Sequence, residues 1–165
     1  EDFVPGQVIV HANGRTVGES EHMQLSAICR NCHPLHWDDV YCQDNSFKKE
    51  RVVYGGLVLA WTLTQTSVDV GGHLTWEVEW SDGAHPAPVL AGDTIFAASR
   101  VEAVEEVNDH FGRVTLRVVG VTNRHPRSLI AAGADLFTAE RAKSRDDRIA
   151  EKVVELTRKI LVRRA

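Results

Sequence analysis

From Val52 to Val70 the chain reads V-V-Y-G-G-L-V-L-A-W-T-L-T-Q-T-S-V-D-V, with no charge between Arg51 and Asp69 and with Gly55-Gly56 and Gly71-Gly72 at its two ends. As a strand, the roughly fourteen residues between those glycines would extend about 46 Å, too long for a domain of this size, whereas as a helix they span about 21 Å. The stretch predicts a buried helix, although Thr62, Thr64 and Thr66 lower helix propensity and keep a strand open as the other reading. A helix without a polar stripe is enclosed on most sides by other elements. Here that implies a sheet curled around it.

Elsewhere the pattern is mostly period two. Val8 to Val17 reads as a first strand, set up by Pro5-Gly6 and broken near Asn13-Gly14. Ser20 to Arg30, with Met23, Ala27, Leu25 and Ile28, reads as a short amphipathic helix capped by Ser20 or Glu19. Pro34 disfavours a helical His33, so the chain leaves the helix there, makes another short helix around Asp38 to Gln43, and crosses a polar loop from Asp44 to Arg51. After Gly72, Leu74, Trp76, Val78 and Trp80 alternate with Thr75, Glu77 and Glu79, as a strand with one dry face should. Ser81 to Gly92 reads as a loop, Thr94 to Val104 as a strand, and Arg113 to Val121 as another with Val114, Leu116 and Val118 on one face. Asn123 to Arg148 reads as irregular or partly helical. The tail from Glu151 to Arg164 fits a strand or a helix on periodicity alone. The sum is an α+β pattern, one domain over residues 1–165, with an antiparallel sheet wrapping one helix.

Composition narrows the class. The 165 residues are 43% hydrophobic and 25% charged, enough for one domain with a real core. A net charge of -4, with no basic block and no aromatic-basic interleaving, argues against nucleic acid as a partner. No apolar run approaches the roughly 20 residues of a membrane span, and no signal-peptide pattern is present. The only methionine is Met23, so the natural start is expected to lie upstream of Glu1. Three cysteines, Cys29, Cys32 and Cys42, suit a reducing, cytoplasmic compartment.

Cys29-Arg30-Asn31-Cys32-His33 matches a haem-attachment pattern, and Cys29, Cys32, His33 and His36 could be written as four zinc ligands. Haem needs a second axial ligand, and structural zinc sites pair two separated knuckles. Small buried cysteines at a helix end are the preferred reading, with no metal. His36 stands on a rigid exit from a helix, and an imidazole titrating near neutrality is suited to moving protons, with Asn31 as a polar neighbour. Unpaired N–H groups at Gly55, Gly56 and Leu57, opening the central helix, would hold a developing oxyanion. A packing histidine and a tight glycine turn would read the same way.

Three ordered stretches, His33-Pro34-Leu35-His36-Trp37-Asp38, Val53-Tyr54-Gly55-Gly56-Leu57 and Pro88-Val89-Leu90-Ala91-Gly92-Asp93-Thr94-Ile95, resemble in order and spacing the MaoC-like dehydratases, which include the (R)-specific enoyl-CoA hydratases. The likeness covers about residues 3 to 122. Glu21-His22-Met23 with Asn31 and Tyr54-Gly55-Gly56 looks most like the mesaconyl-CoA (2-methylfumaryl-CoA) hydratase branch. The resemblance implies a hot-dog fold, tips the tail toward a strand, and implies water addition to, or removal from, an enoyl-CoA thioester without cofactor. It makes His36 the base or acid and Gly55 the oxyanion donor, with Gly56, Tyr54 and His33 against the substrate. The family aspartate falls on Asn31, which can orient a water but cannot take its proton. The resemblance also implies a homodimer, with a heterodimer beside a competent partner as the alternative. An acyl-CoA-binding subunit without chemistry and a hot-dog thioesterase are the competing functions.

Overall fold

The computed structural model describes residues 3–46 and 48–164; Glu1, Asp2, Phe47 and Ala165, which the sequence reading includes in its single domain, lie outside the described residues. Five strands, β1 (Val8–Thr16), β2 (Leu74–Ala84), β3 (Thr94–Glu106), β4 (Phe111–Thr122) and β5 (Lys152–Arg163), make one antiparallel sheet in the order β1-β3-β4-β5-β2. The expected break in β1 is a shift of register between Val10 and Gly14. The ambiguous tail is the strand β5, paired with β4 and β2 in the middle of the sheet.

The helices are α1 (Glu19–Ile28), α2 (Asp39–Asn45), α3 (Gly55–Gln65) and α4 (Pro126–Ala131). The central helix is α3, and its threonines are absorbed by hydroxyl donation to the preceding turn: Thr62 to the Val58 carbonyl at 2.8 Å and Thr64 to that of Ala60 at 2.9 Å. It is shorter than expected. Thr66 turns its hydroxyl onto the Leu63 carbonyl, and the chain leaves the helix axis before Asp69. Leu57, Val58, Trp61, Thr62 and Gln65 are buried, while Ala60 and Thr64 remain exposed, so the sheet covers one side of α3 rather than most of it.

Helix and sheet meet most closely over Gly120 of β4. A Cβ there would stand 2.5 Å from Thr62 Oγ1 and 2.6 Å from Val154 Cγ1, so only a bare backbone lets α3 down onto the strands. Val114, Leu116 and Val118 face α3, as their spacing predicts, with Leu156, Ile160 and Val162 of β5 beside them. The opposite face of β4 is not wet, because Ala98, Val119 and Val121 pack under Leu129 of α4 and under Leu136 and Phe137. Arg117 on that face is only 6% exposed, its guanidinium donating to the Phe137 and Asp82 carbonyls at 3.3 and 3.2 Å.

Four local expectations are corrected. The buried residues of α1 are His22 and Ser26, while Ala27 and Ile28 point outward, and the residue before its first turn is Gly18 with no side-chain cap. Strand β2 runs on to Ala84, through residues expected to be loop. Its apolar row is open rather than dry: β2 is an edge strand, and Trp76, Val78 and Trp80 are 69%, 46% and 52% exposed. Alternation marks an apolar face without saying what covers it.

One chain of polar groups, buried at His11 and Ser99 and open to solvent at Asp69, ties β1, β3 and the exit from α3 together. His11 Nδ1 lies 2.6 Å from Asp69 Oδ2 and its Nε2 2.9 Å from Ser99 Oγ, with His11 and Ser99 fully buried. Burial lowers the His11 pKa, outweighing the Asp69 carboxylate that raises it. As pH falls, the unfolded chain therefore takes up this proton first, near its ordinary pKa of about 6.5. The stability that neutral His11 contributes is complete above that pH and drains away as pH falls toward the lower folded-state pKa. Urea midpoints at pH 7.5 and 5.5 are expected to separate more in the wild type than in His11→Gln; equal separations would remove His11 as a source of the slope.

Candidate active site

Pro34 sets the site's first wall. His33 before it is extended (φ -68°, ψ 125°), and its Nδ1 accepts from the Leu35 N–H at 3.2 Å, starting a short 3₁₀ turn over Pro34–His36. The strap that leads into α3 is laced to this turn, with the Val52 N–H on the Leu35 carbonyl at 3.1 Å. His36 closes the lacing: its Nδ1 donates to the Val52 carbonyl at 2.6 Å. A carbonyl can only accept, so the proton of the neutral ring sits on Nδ1 and Nε2 carries the lone pair.

A cavity of about 370 Å³ opens in front of this ring. Its lining joins His36, Val53, Gly55 and Val58 to the segment from His85 to Val89. That segment is held against the strap by the Val53 N–H on the Val89 carbonyl at 2.9 Å and by the Val52–Leu90 bridge. Gly55 is the first residue of α3, and among the described residues neither its N–H nor that of Gly56 has an acceptor. Gly55, with its free N–H, thus brings the positive end of the helix to the cavity.

The other expected site residues are close by but do not line the cavity. Tyr54 caps α3 and meets His36 edge-to-face at 5.8 Å, while its ring lies over Gly56, where a Cβ would stand 2.6 Å from it. His33 is exposed and meets His36 at 6.1 Å. Asn31 is committed to a turn: its Oδ1 accepts from the His33 N–H at 3.0 Å, and its carbonyl accepts from the Trp37 indole. Of the nearby cations of the loop before α3 and of β3, Arg51 is paired with Asp39 and Glu19, and Arg100 with Glu102, while Lys48 and Lys49 are exposed. Cys29 and Cys32 are exposed, against expectation, because the end of α1 projects into solvent; Cys42 is buried, and its burial raises the thiol pKa. Among the described residues no cluster of His, Cys, Asp and Glu is placed to hold a metal ion.

Two histidines are given no role by the sequence, His22 counting there only within the run Glu21-His22-Met23. His22 is buried behind the His36 wall with neither ring nitrogen hydrogen-bonded among the described residues; burial lowers its pKa, and the Arg51 charge lowers it further. His85 lines the cavity itself, its Nδ1 donating to the Val153 carbonyl at 3.2 Å. Only its place immediately before Pro86, in an otherwise apolar loop, could have marked it.

The fold is that of a hot-dog domain, and it is similar to those of solved MaoC-like dehydratases. A MaoC domain protein dehydratase from Chloroflexus aurantiacus superposes with a TM-score of 0.82 at 22% identity, over 99% of this chain and 44% of that one. In sequence, the chain is similar to the mesaconyl-CoA hydratase of Cereibacter sphaeroides, 33% identical over 121 residues, which are 73% of this chain and 34% of that protein. It is also similar to the β-methylmalyl-CoA dehydratase of Chloroflexus aurantiacus, 28% identical over 126 residues, 75% of this chain and 35% of that protein. The chain thus spans about a third of the length of these curated relatives. No family model matches it. Among the described residues no helix is long and apolar enough to cross a membrane.

Proposed function

We propose that this domain is a hydro-lyase that adds water to, or removes it from, an enoyl-CoA-type thioester, with mesaconyl-CoA and β-methylmalyl-CoA as the substrate pair. The observation that carries the reading is that His36, its Nδ1 spent on the Val52 carbonyl, and Gly55, the first residue of α3, line one cavity. In the forward direction the thioester oxygen lies at the Gly55 N–H, which withdraws electrons from the double bond. His36 Nε2 takes a proton from a water as its oxygen bonds to Cβ, and the π electrons pass into an enolate held at Gly55. Tyr54, Gly56 and His33 shape the approach. The CoA thioester is the substrate, no cofactor is required, and the three free cysteines fit a cytoplasmic setting.

Pairing with a second copy belongs to the same proposal. The open edge strand β2, with Trp76, Val78 and Trp80 exposed, is an apolar rim that a further strand would cover, and the curated relatives are about three times the length of the matched region. A heterodimer with a different hot-dog chain would use the same edge.

The test follows the conjugated thioester absorbance of crotonyl-CoA and mesaconyl-CoA with the purified chain, sized by light scattering against its 18.3 kDa mass. Loss of absorbance by a species of twice that mass is expected. Tight binding of both thioesters without turnover would make the chain an acyl-CoA-binding subunit instead.

A further inference from the structure

Hydration needs a proton at Cα as well as a base for the water, and the position where the family places a carboxylate holds Asn31, whose Oδ1 is engaged in a turn. A second bare imidazole nitrogen faces the same cavity. His85 Nδ1 donates to the Val153 carbonyl, which fixes the ring and, in its neutral form, leaves the Nε2 lone pair toward the lining it shares with His36 and Gly55. Its Nε2 would stand 3.0 Å from a Cβ built on Gly55, which places this ring beside the proposed oxyanion donor. A thioester whose oxygen sits on the Gly55 N–H has its Cα next to that donor and its Cβ one bond farther away. His85 is also exposed at the cavity mouth, where its proton can exchange with solvent.

From this geometry, and resting on the hydro-lyase reading above, we infer that proton transfer is divided between two histidines, with His85 serving Cα and His36 serving the oxygen on Cβ. In the dehydration direction His85 Nε2 removes the Cα proton, and the C–H electron pair moves into the thioester as an enolate held at Gly55. The enolate electrons then form the Cα–Cβ double bond while the C–O bond breaks, and the His36 imidazolium protonates the departing hydroxyl to give water. One proton has moved from substrate to His85 and one from His36 to water, and exchange with solvent at the mouth resets both rings. Hydration is the reverse, with imidazolium at His85 and neutral His36.

Deuterium reads the two transfers separately. In D₂O with β-hydroxybutyryl-CoA, His36→Ala is expected to keep washing deuterium into Cα while losing elimination, and His85→Asn to lose both. Asparagine retains a donor for the Val153 carbonyl while removing Nε2; His85→Gln and a thermal melt check that the loss is not one of folding. On crotonyl-CoA and mesaconyl-CoA alike, kcat of His85→Asn should fall about 10²–10⁴-fold, with binding of butyryl-CoA retained. Full turnover in His85→Asn, or loss of exchange in His36→Ala with His85 intact, overturns the division and leaves His36 both roles. A defect confined to KM for mesaconyl-CoA also overturns it, making His85 a receptor for the second carboxylate. An inert wild type overturns this inference and the hydro-lyase reading together.

Discussion

His36→Ala is expected to lower kcat for thioester hydration by about 10²–10⁴-fold, with binding of a saturated acyl-CoA close to that of the wild type. The size follows from what alanine leaves behind. The Gly55 N–H and the start of α3 remain, so the substrate is still held and polarised, but no group opposite Cβ can take the water's proton. His36→Gln tests the reasoning further, since an amide can hydrogen-bond a water but cannot be protonated by it; it should stay nearly as slow as alanine. Stopped assays of kcat and KM, with a melt to show that the strap at Val52 survives, separate chemistry from folding. A variant that turns over at the wild-type rate would strip His36 of its role.

Glu155→Ala should give the largest loss of stability, about 3–5 kcal/mol, measured from urea unfolding with an unchanged slope. Glu155 is 1% exposed, between Lys152 at 0% and Arg117 at 6%, and its carboxylate also accepts from the Glu140 N–H at 3.2 Å. Removing it leaves two buried cations facing one another across a hole. Lys152 keeps the Thr138 carbonyl and Glu140, and Arg117 keeps the Phe137 carbonyl, but neither alternative replaces the shared carboxylate. Adding Lys152→Met to Glu155→Ala should recover part of the loss, because it removes a buried charge that has lost the nearer of its two carboxylate partners. If the single substitution costs under about 1 kcal/mol, the network is solvated in a way its burial does not suggest.

Much of the sheet is legible in the chain, and so is half of the site. Val114, Leu116 and Val118 alternate because one face of β4 must meet α3, and that local periodicity survives in the structure. Arg117 and Glu155 are equally buried without any mark of it in the local pattern, since they neutralise one another from distant positions and periodicity carries no record of such a pairing. In α1, His22 and Ser26 hold the inner face while apolar Ile28 is outside, an inversion that apolar spacing alone does not foretell. His36 and Gly55 could be found because a proline turn and a glycine helix start have local signatures. His85 could not, because what places it is a carbonyl on β5 and the shape of a loop.

The close fit between Gly55 and the ring of residue 85 bears on how the amide at position 55 can be probed. The backbone of Gly55 is ordinary for the start of a helix, so alanine there would keep the N–H and satisfy the torsion angles, yet its methyl would sit 3.0 Å from the imidazole and push it by a few tenths of an ångström. A rate defect in such a variant would register a displaced neighbour as much as an altered hydrogen-bond donor. Size at one position and aromatic occupancy at the other are thus a single steric variable, to be changed jointly.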